Sequence, residues 1–251
     1  MAKLTAMKLA DHCSHSGGFL FRWRSYLPLA LAPFFALSLR DASYPFGSHG
    51  WNQVREFGGF LLSLAGLAVR IHTIGRATEG TSERSTVDPR ASHLNTAGVY
   101  SVVRHPLYIG NTLVALGLAL VPGPWYLPVI VLLASLLYHE RIAAHEEAFL
   151  EATFGDLFRD WADRVPAMIP NLRHVRPSSN LFSWRRVLGR EFHGLFVIGG
   201  GFFVLDLLQD RAVTGGWQLD PVWTWLCLVT GVLFVVLAAL KKFTSFLKVE
   251  R

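Results

Sequence analysis

The chain has 251 residues, 51% hydrophobic and 17% charged, with a formal net charge of +6 and a mean hydropathy of +0.34. An ordinary soluble domain is about a quarter charged, so the composition excludes that class and points to an all-α integral membrane helical bundle. The basic surplus is not the signature of nucleic-acid binding, because no basic face is interleaved with base-stacking aromatics.

Residues 1–25 form a polar, basic tail with no clear small-residue cleavage site, unlike a signal peptide. Six apolar runs follow, over 26–39, 53–69, 107–121, 125–138, 194–209 and 221–240. A spanning helix needs about 20 residues. The last run reaches that alone, the second to fourth reach it with flanking residues, and 26–39 and 194–209 are marginal. About six transmembrane helices are expected, with N- and C-terminus inside. That arrangement puts 21 of the 24 Lys and Arg on the inside and leaves only Arg40, Arg55 and Arg211 outside, as the positive-inside rule demands. Trp51, Trp125, Trp217 and Trp223, near segment ends, fit an interfacial aromatic belt.

A short outside loop joins the first two runs. Residues 70–98 form a long polar inside loop, expected to be ordered and ligand-facing because it feeds into Arg104-His105. The third and fourth runs make a hairpin around Val121-Pro122-Gly123-Pro124-Trp125. Residues 139–170 continue as a helix, with Phe149, Leu150, Phe154, Leu157, Phe158 and Trp161 at roughly helical spacing; Gly155 interrupts it, and Pro166 and Pro170 close it. This stretch suits a headgroup-lying amphipathic helix or a lid. Residues 171–193 read as a basic linker, and the last two runs as a second hairpin. Cys13 and Cys227 are far apart and imply no disulfide or metal framework.

The chemistry gathers at the ends of the first hairpin, where Arg104-His105 and Glu146-Glu147 return to one membrane face. Ionisable groups flanking a hairpin at one depth suggest a site. Pro106 suits the first turn of a helix, where its missing N–H costs nothing, so the third segment is expected to start there with free N–H groups facing an anion. Arg104 adds a fork suited to carboxylate or phosphate. Glu146 and Glu147 are neighbours and point about 100° apart on a helix, so one can face the bundle while the other meets a second partner. The pattern HExxxxHEE lacks the zinc HExxH spacing, and no metal ligand set is assigned. No GxGxxG follows a strand and no P-loop occurs, so a small cofactor must be held by the membrane helices and inside loops.

Two stretches, LNTAGVYSVVRHPLYIGNTLVALGLAL and RIAAHEEAFLEATFGDLFRDWADRVPAMIP, resemble the isoprenylcysteine carboxyl methyltransferase family, and phospholipid N-methyltransferases share a weaker form of the pattern. The resemblance covers about residues 92–170, in order and at appropriate spacing. It implies a membrane helical bundle that uses S-adenosyl-L-methionine. It carries cofactor contacts to Ser92, His93, Leu94, Asn95, Tyr100, His105, Pro106, Leu107, Tyr108 and Glu146, and places Arg104 near methyl transfer. The family sets a carboxylate-holding arginine four residues before the first Glu. That position here is Ile142, with Arg141 beside it as the candidate clamp. Glu147 is the candidate base should the acceptor be an amine.

One membrane domain, 1–251, is therefore expected, with a methyltransferase core at 92–170 and an extension at 171–251 that packs a homodimer, shields a lipid entrance or binds a partner. The expected partners are membrane lipids and a lipid-like acceptor entering from the bilayer, without nucleic acid. The expected setting is a multi-pass protein with its active site on the cytoplasmic face. O-methylation of a carboxylate stands ahead of N-methylation of an amine. A sterol-reductase-like enzyme using a related RHPxYxG segment, and a non-catalytic scaffold, are the rival readings.

Overall fold

The computed structural model of the chain describes residues 16–78, 91–244 and 247. The tail over 1–15 and residues 79–90 of the polar loop lie outside the described residues. Among the described residues the structure is helical, with one isolated antiparallel bridge, Gly98 to Arg176. Helical backbone over 16–23 (α1) precedes α2 (Ala32–Ser38), α3 (His49–Arg76), α4 (Pro106–Ala119), α5 (Tyr126–Phe154), α6 (Asp156–Ala162), α7 (Trp184–Thr214) and α8 (Pro221–Phe243).

The expected six crossings resolve unevenly. Four helices, α3, α5, α7 and α8, are long and apolar enough to span a bilayer. The first run is not one helix: it divides into a 3-10 turn, Leu27–Leu31, then α2, then a second 3-10 turn. Pro28 and Pro33 stand in the first turns of the first two pieces, and a proline removes one ladder donor and crowds the preceding carbonyl. Helix α4 has 14 residues, about 21 Å at 1.5 Å per residue, short of the roughly 30 Å hydrocarbon core. It starts with Pro106 in its first turn, as the sequence predicts.

Helices α3 and α4 pack antiparallel and very closely. A side-chain carbon on Gly59 would sit 2.5 Å from the Gly117 carbonyl oxygen, and one on Gly66 would sit 2.5 Å from that of Gly110. Both pairs are seven residues apart, two turns of helix, so the small residues form one stripe on each partner. Apolar attraction gives helices little reason to associate inside lipid, and close backbone approach supplies dispersion instead. Helix α7 runs antiparallel to α3, joined near one end by Arg70–Glu191 and near the other by Asn52–Gln209. The core between them is Leu67, Val121, Ile198, Phe202 and Trp223. Asp220 caps α8 by accepting from Val222 and Trp223, and α8 lies along α7 with most of its apolar surface facing outward.

Candidate functional site

The loop before α4 is clamped by the segment after α5. Gly155 takes a positive φ of 54° and ends α5, which turns the chain into α6. Phe158, Trp161 and Val165 then bury themselves against Leu94, Tyr100 and Leu150, and the Trp161 indole N–H donates to the Tyr100 carbonyl at 3.0 Å. Beyond α6 the backbone runs beside the motif: Arg104 N donates to Pro166 O at 2.9 Å, His105 N to Ala167 O at 3.2 Å, and Asn171 N to Val102 O at 2.9 Å. The lid expected over 139–170 is thus a strap bonded to the motif backbone.

The two chemical ends of the hairpin meet. Arg104 grips Glu147 with two nitrogens, at 2.9 and 3.2 Å, while its third donates to the carbonyls of Ala162 and Val165 at 2.7 and 3.1 Å. The His105 ring lies 2.8 Å from Glu147 Oε1 through Nε2 and 3.5 Å from Glu146 Oε2 through Nδ1. Burial alone would lower the His105 pKa; hydrogen bonds and charges from Glu146 and Glu147 outweigh it and hold the imidazole above its ordinary value. Burial, reinforced by the Glu146 charge, pushes the Tyr100 hydroxyl up to about 12. Tyr108 stacks between His105 and His139, with ring centres 5.5 and 4.8 Å away.

These groups open onto a cavity of about 790 Å³. Of the ten sequence-derived cofactor positions, nine line it: His93, Leu94, Asn95, Tyr100, His105, Pro106, Leu107, Tyr108 and Glu146. Ser92 is exposed and is not on the wall. Arg104 lines the cavity, but Glu147 sits behind it, bonded to Arg104 and His105. Arg141 differs from the expected clamp: its guanidinium donates to Ser16 Oγ at 3.2 Å and it is not on the wall. The inward position belongs to Ile142, which is fully buried, because one residue rotates a helical side chain by about 100°.

Sequence reasoning missed the wall that α7 supplies. The stretch read as a linker is helical from Trp184, and Arg190, Glu191 and His193 reach the cavity. Ser183 caps that helix by accepting from Arg186 N, and a capping serine ahead of Val187, Leu188 and Phe192 was a signal obscured by the surrounding arginines. Glu191 receives both Nε and Nη2 of Arg70 at 2.7 Å, and Arg70 also bonds Asn111. One guanidinium therefore ties α3, α4 and α7 together at the cavity.

Residues 54–157 match the phospholipid methyltransferase family. The chain is 31% identical over 183 residues to the cobalt-zinc-cadmium resistance protein CzcN of Cupriavidus metallidurans, covering 68% of this chain and 79% of that protein. It is 34% identical over 122 residues to the nickel-cobalt-cadmium resistance protein NccN of Alcaligenes xylosoxydans xylosoxydans, 47% of this chain and 54% of that one. It is also 34% identical over 77 residues to the protein-S-isoprenylcysteine O-methyltransferase of Schizosaccharomyces pombe, 31% of this chain and 33% of the relative. No solved structure matches the chain.

Proposed function

Because the chain belongs to the phospholipid methyltransferase and isoprenylcysteine methyltransferase family of integral membrane enzymes, we propose that it moves a methyl group from S-adenosylmethionine to a lipid-like or prenyl-like carboxylate. The observation that carries this reading is the gathering of nine expected cofactor positions on one cavity wall. The cavity volume lies within the roughly 300–1,000 Å³ of small-molecule sites. The lining also has the chemistry such a cofactor needs: Glu146 for a hydroxyl pair or an ammonium, Asn95 for an amide contact, and Leu94, Tyr100 and Trp161 as flat or apolar walls for a base.

The cofactor supplies an already electrophilic methyl, so the protein's task is to position an in-line acceptor. Glu146 and Tyr108 set one side of the cavity, with Tyr108 fixed by its stack on two imidazoles. His105 stays in place because both glutamates hold its ring. Arg104 and Glu147 serve as positioning residues: their pair locks the motif loop to the strap after α6. A carboxylate acceptor, with a reference pKa near 4, is ionised at neutral pH and needs no base. An amine acceptor would need one, and Glu147, committed to Arg104 and His105, is poorly placed for it. This favours O-methylation.

The same reading gives a six-pass topology with both termini inside and the cavity opening at the cytoplasmic face, on the strength of the arginine and lysine bias. Two relatives bear names that refer to metal resistance. Among the described residues no group of three or more His, Cys, Asp or Glu is arranged to hold a metal ion. The test is calorimetric titration of the solubilised protein with S-adenosylmethionine, followed by radiolabelled methyl transfer to membrane lipid extract with base lability identifying esters. Saturable binding that weakens at least tenfold in Glu146→Ala, and a base-labile product, are expected. Equal binding by Glu146→Ala would remove the site assignment.

A further inference from the structure

We propose that the strap after α6, over residues 169–184, is a docking surface for the headgroups of anionic lipids in the leaflet on the cavity side. The proposal rests on the topology given above, with the cavity at the cytoplasmic face, and goes beyond it by naming a lipid class and the residues that meet it. The strap lies outside the stretch that matches the family, residues 54–157.

Helix lengths set the depth of the strap. Helices α3 and α7 have 28 and 31 residues, about 42 and 46 Å at 1.5 Å per residue, which matches the roughly 40–45 Å of a bilayer with its headgroups. Exposed Trp51 and Trp217 mark one end of this antiparallel pair and exposed Trp184 marks the other, as interfacial tryptophans do. The strap is fastened at the Trp184 end. Ser183 N donates to Gly75 O at 2.8 Å, Asn180 Nδ2 donates to Arg76 O at 3.1 Å, and the Phe182 ring covers Gly75. Its beginning lies at a similar depth. The Gly59–Gly117 and Gly66–Gly110 register, carried one helical turn further, sets Pro106 level with Arg70. The backbone of Ala167 and Asn171 bonds to His105 and Val102 just before that proline.

At that depth the strap presents a surface both apolar and basic. Ile169, Leu172, Val175, Leu181 and Trp184 are 59–91% exposed, although they lie outside the long apolar runs. Exposed apolar side chains scattered singly are ordinary, but these five stand close together in one segment. Among them are exposed Arg173, Arg176 and Arg185, and residues 171–190 hold five arginines and no Asp or Glu. Apolar side chains that sink to the acyl boundary, with cations at the level of the phosphates, are the chemistry of an interfacial segment. A zwitterionic leaflet has no net charge to meet that surplus, so anionic lipids are favoured, by roughly fivefold for each arginine at the surface. Gly98 N donates to Arg176 O at 2.8 Å and Arg176 N to Ser101 Oγ at 2.9 Å. A seated strap therefore also steadies the loop that carries Tyr100 and Arg104.

The experiment uses the full chain carrying Cys13→Ser and Cys227→Ser, with a fluorophore on Leu172→Cys or Leu181→Cys, in nanodiscs of phosphatidylcholine and phosphatidylglycerol. Each lipid is supplied brominated in turn, and quenching reports how often it sits against the label. Both labels should be quenched, and brominated phosphatidylglycerol should be preferred at Leu172→Cys by about fivefold or more. Arg173→Gln with Arg176→Gln should bring that preference below about twofold, while Arg173→Lys with Arg176→Lys should keep it. Arg159→Gln, whose charge is already met by Glu151 and Asp156, should leave it unchanged. Hydrogen exchange over 166–176 should be slower in nanodiscs that contain phosphatidylglycerol than in phosphatidylcholine alone. Labels that bromolipids do not quench, equal quenching by the two lipids, a preference that survives the loss of both arginines, or exchange that ignores lipid charge would each overturn the proposal. A label shielded from aqueous iodide yet untouched by bromolipids would assign the surface to a protein, a second copy of the chain included, and overturn it too. None of these readouts uses cofactor or acceptor, so a chain that fails to bind S-adenosylmethionine would strike the methyltransferase reading alone.

Discussion

Replacing Glu147 by alanine removes the hub of the motif. The carboxylate accepts from Arg104 at 2.9 and 3.2 Å and lies 2.8 Å from the His105 ring, and the two partners of the ion pair are only 16% and 23% exposed. Breaking a buried pair by deleting one partner costs about 3–5 kcal/mol, because the other charge is left uncompensated. Arg104 keeps its bonds to the carbonyls of Ala162 and Val165, which moderates the loss, so about 3 kcal/mol is expected. At roughly 2–4 °C per kcal/mol for chains of about this size, the unfolding midpoint should fall by about 6–12 °C. Glu147→Gln keeps the shape and one acceptor and should lose about half as much. The assay is thermal unfolding in detergent at neutral pH. The control is Glu151→Ala, which breaks the Arg159–Glu151 pair, 59% and 46% exposed, and should change stability by no more than about 1 kcal/mol. A Glu147→Ala midpoint within 2 °C of the parent, or an equal loss in the control, would refute the reasoning.

Gly66→Ala should destabilise by about 1–3 kcal/mol through overpacking, since the new carbon would meet the Gly110 carbonyl, while Gly58→Ala, with open space around it, should be neutral or slightly stabilising; urea or thermal unfolding of both variants separates packing from propensity. The raised pKa of His105 implies stability that is fully present below its unfolded value of about 6.5 and is lost as pH rises through the higher folded value. The deficit of His105→Gln, measured as unfolding midpoint against pH, should therefore be largest below pH 6.5 and shrink above it; a deficit that grows with pH would contradict the assigned contacts. Asp206→Asn should be neutral or stabilise by about 1 kcal/mol, because Asp206 is buried near Glu56 and Asp210 with one carboxylate oxygen lacking a hydrogen-bond partner. A midpoint lowered by more than 5 °C would show that the charge itself is needed there.

The amino-acid sequence by itself determined the features that depend on residues a few positions apart. Pro106 set the start of α4, Gly155 set the end of α5, and the apolar runs set the four long helices, since each follows from backbone rules and side-chain periodicity. The hairpin turn at Val121–Trp125 likewise returned Arg104-His105 and Glu146-Glu147 to one end, and with them most of the cavity wall. Tertiary structure alone decided which carboxylate faces the cavity, that Ile142 rather than Arg141 points inward, and that α7 brings Arg190 and Glu191 to the site. Pairings such as Arg70 with Glu191 or Gly66 with Gly110 join residues more than forty positions apart. Local pattern shows that each helix has a face to bury, but which faces meet is settled only when all the helices pack together, by close approach and by the cost of leaving a buried charge without its counterpart.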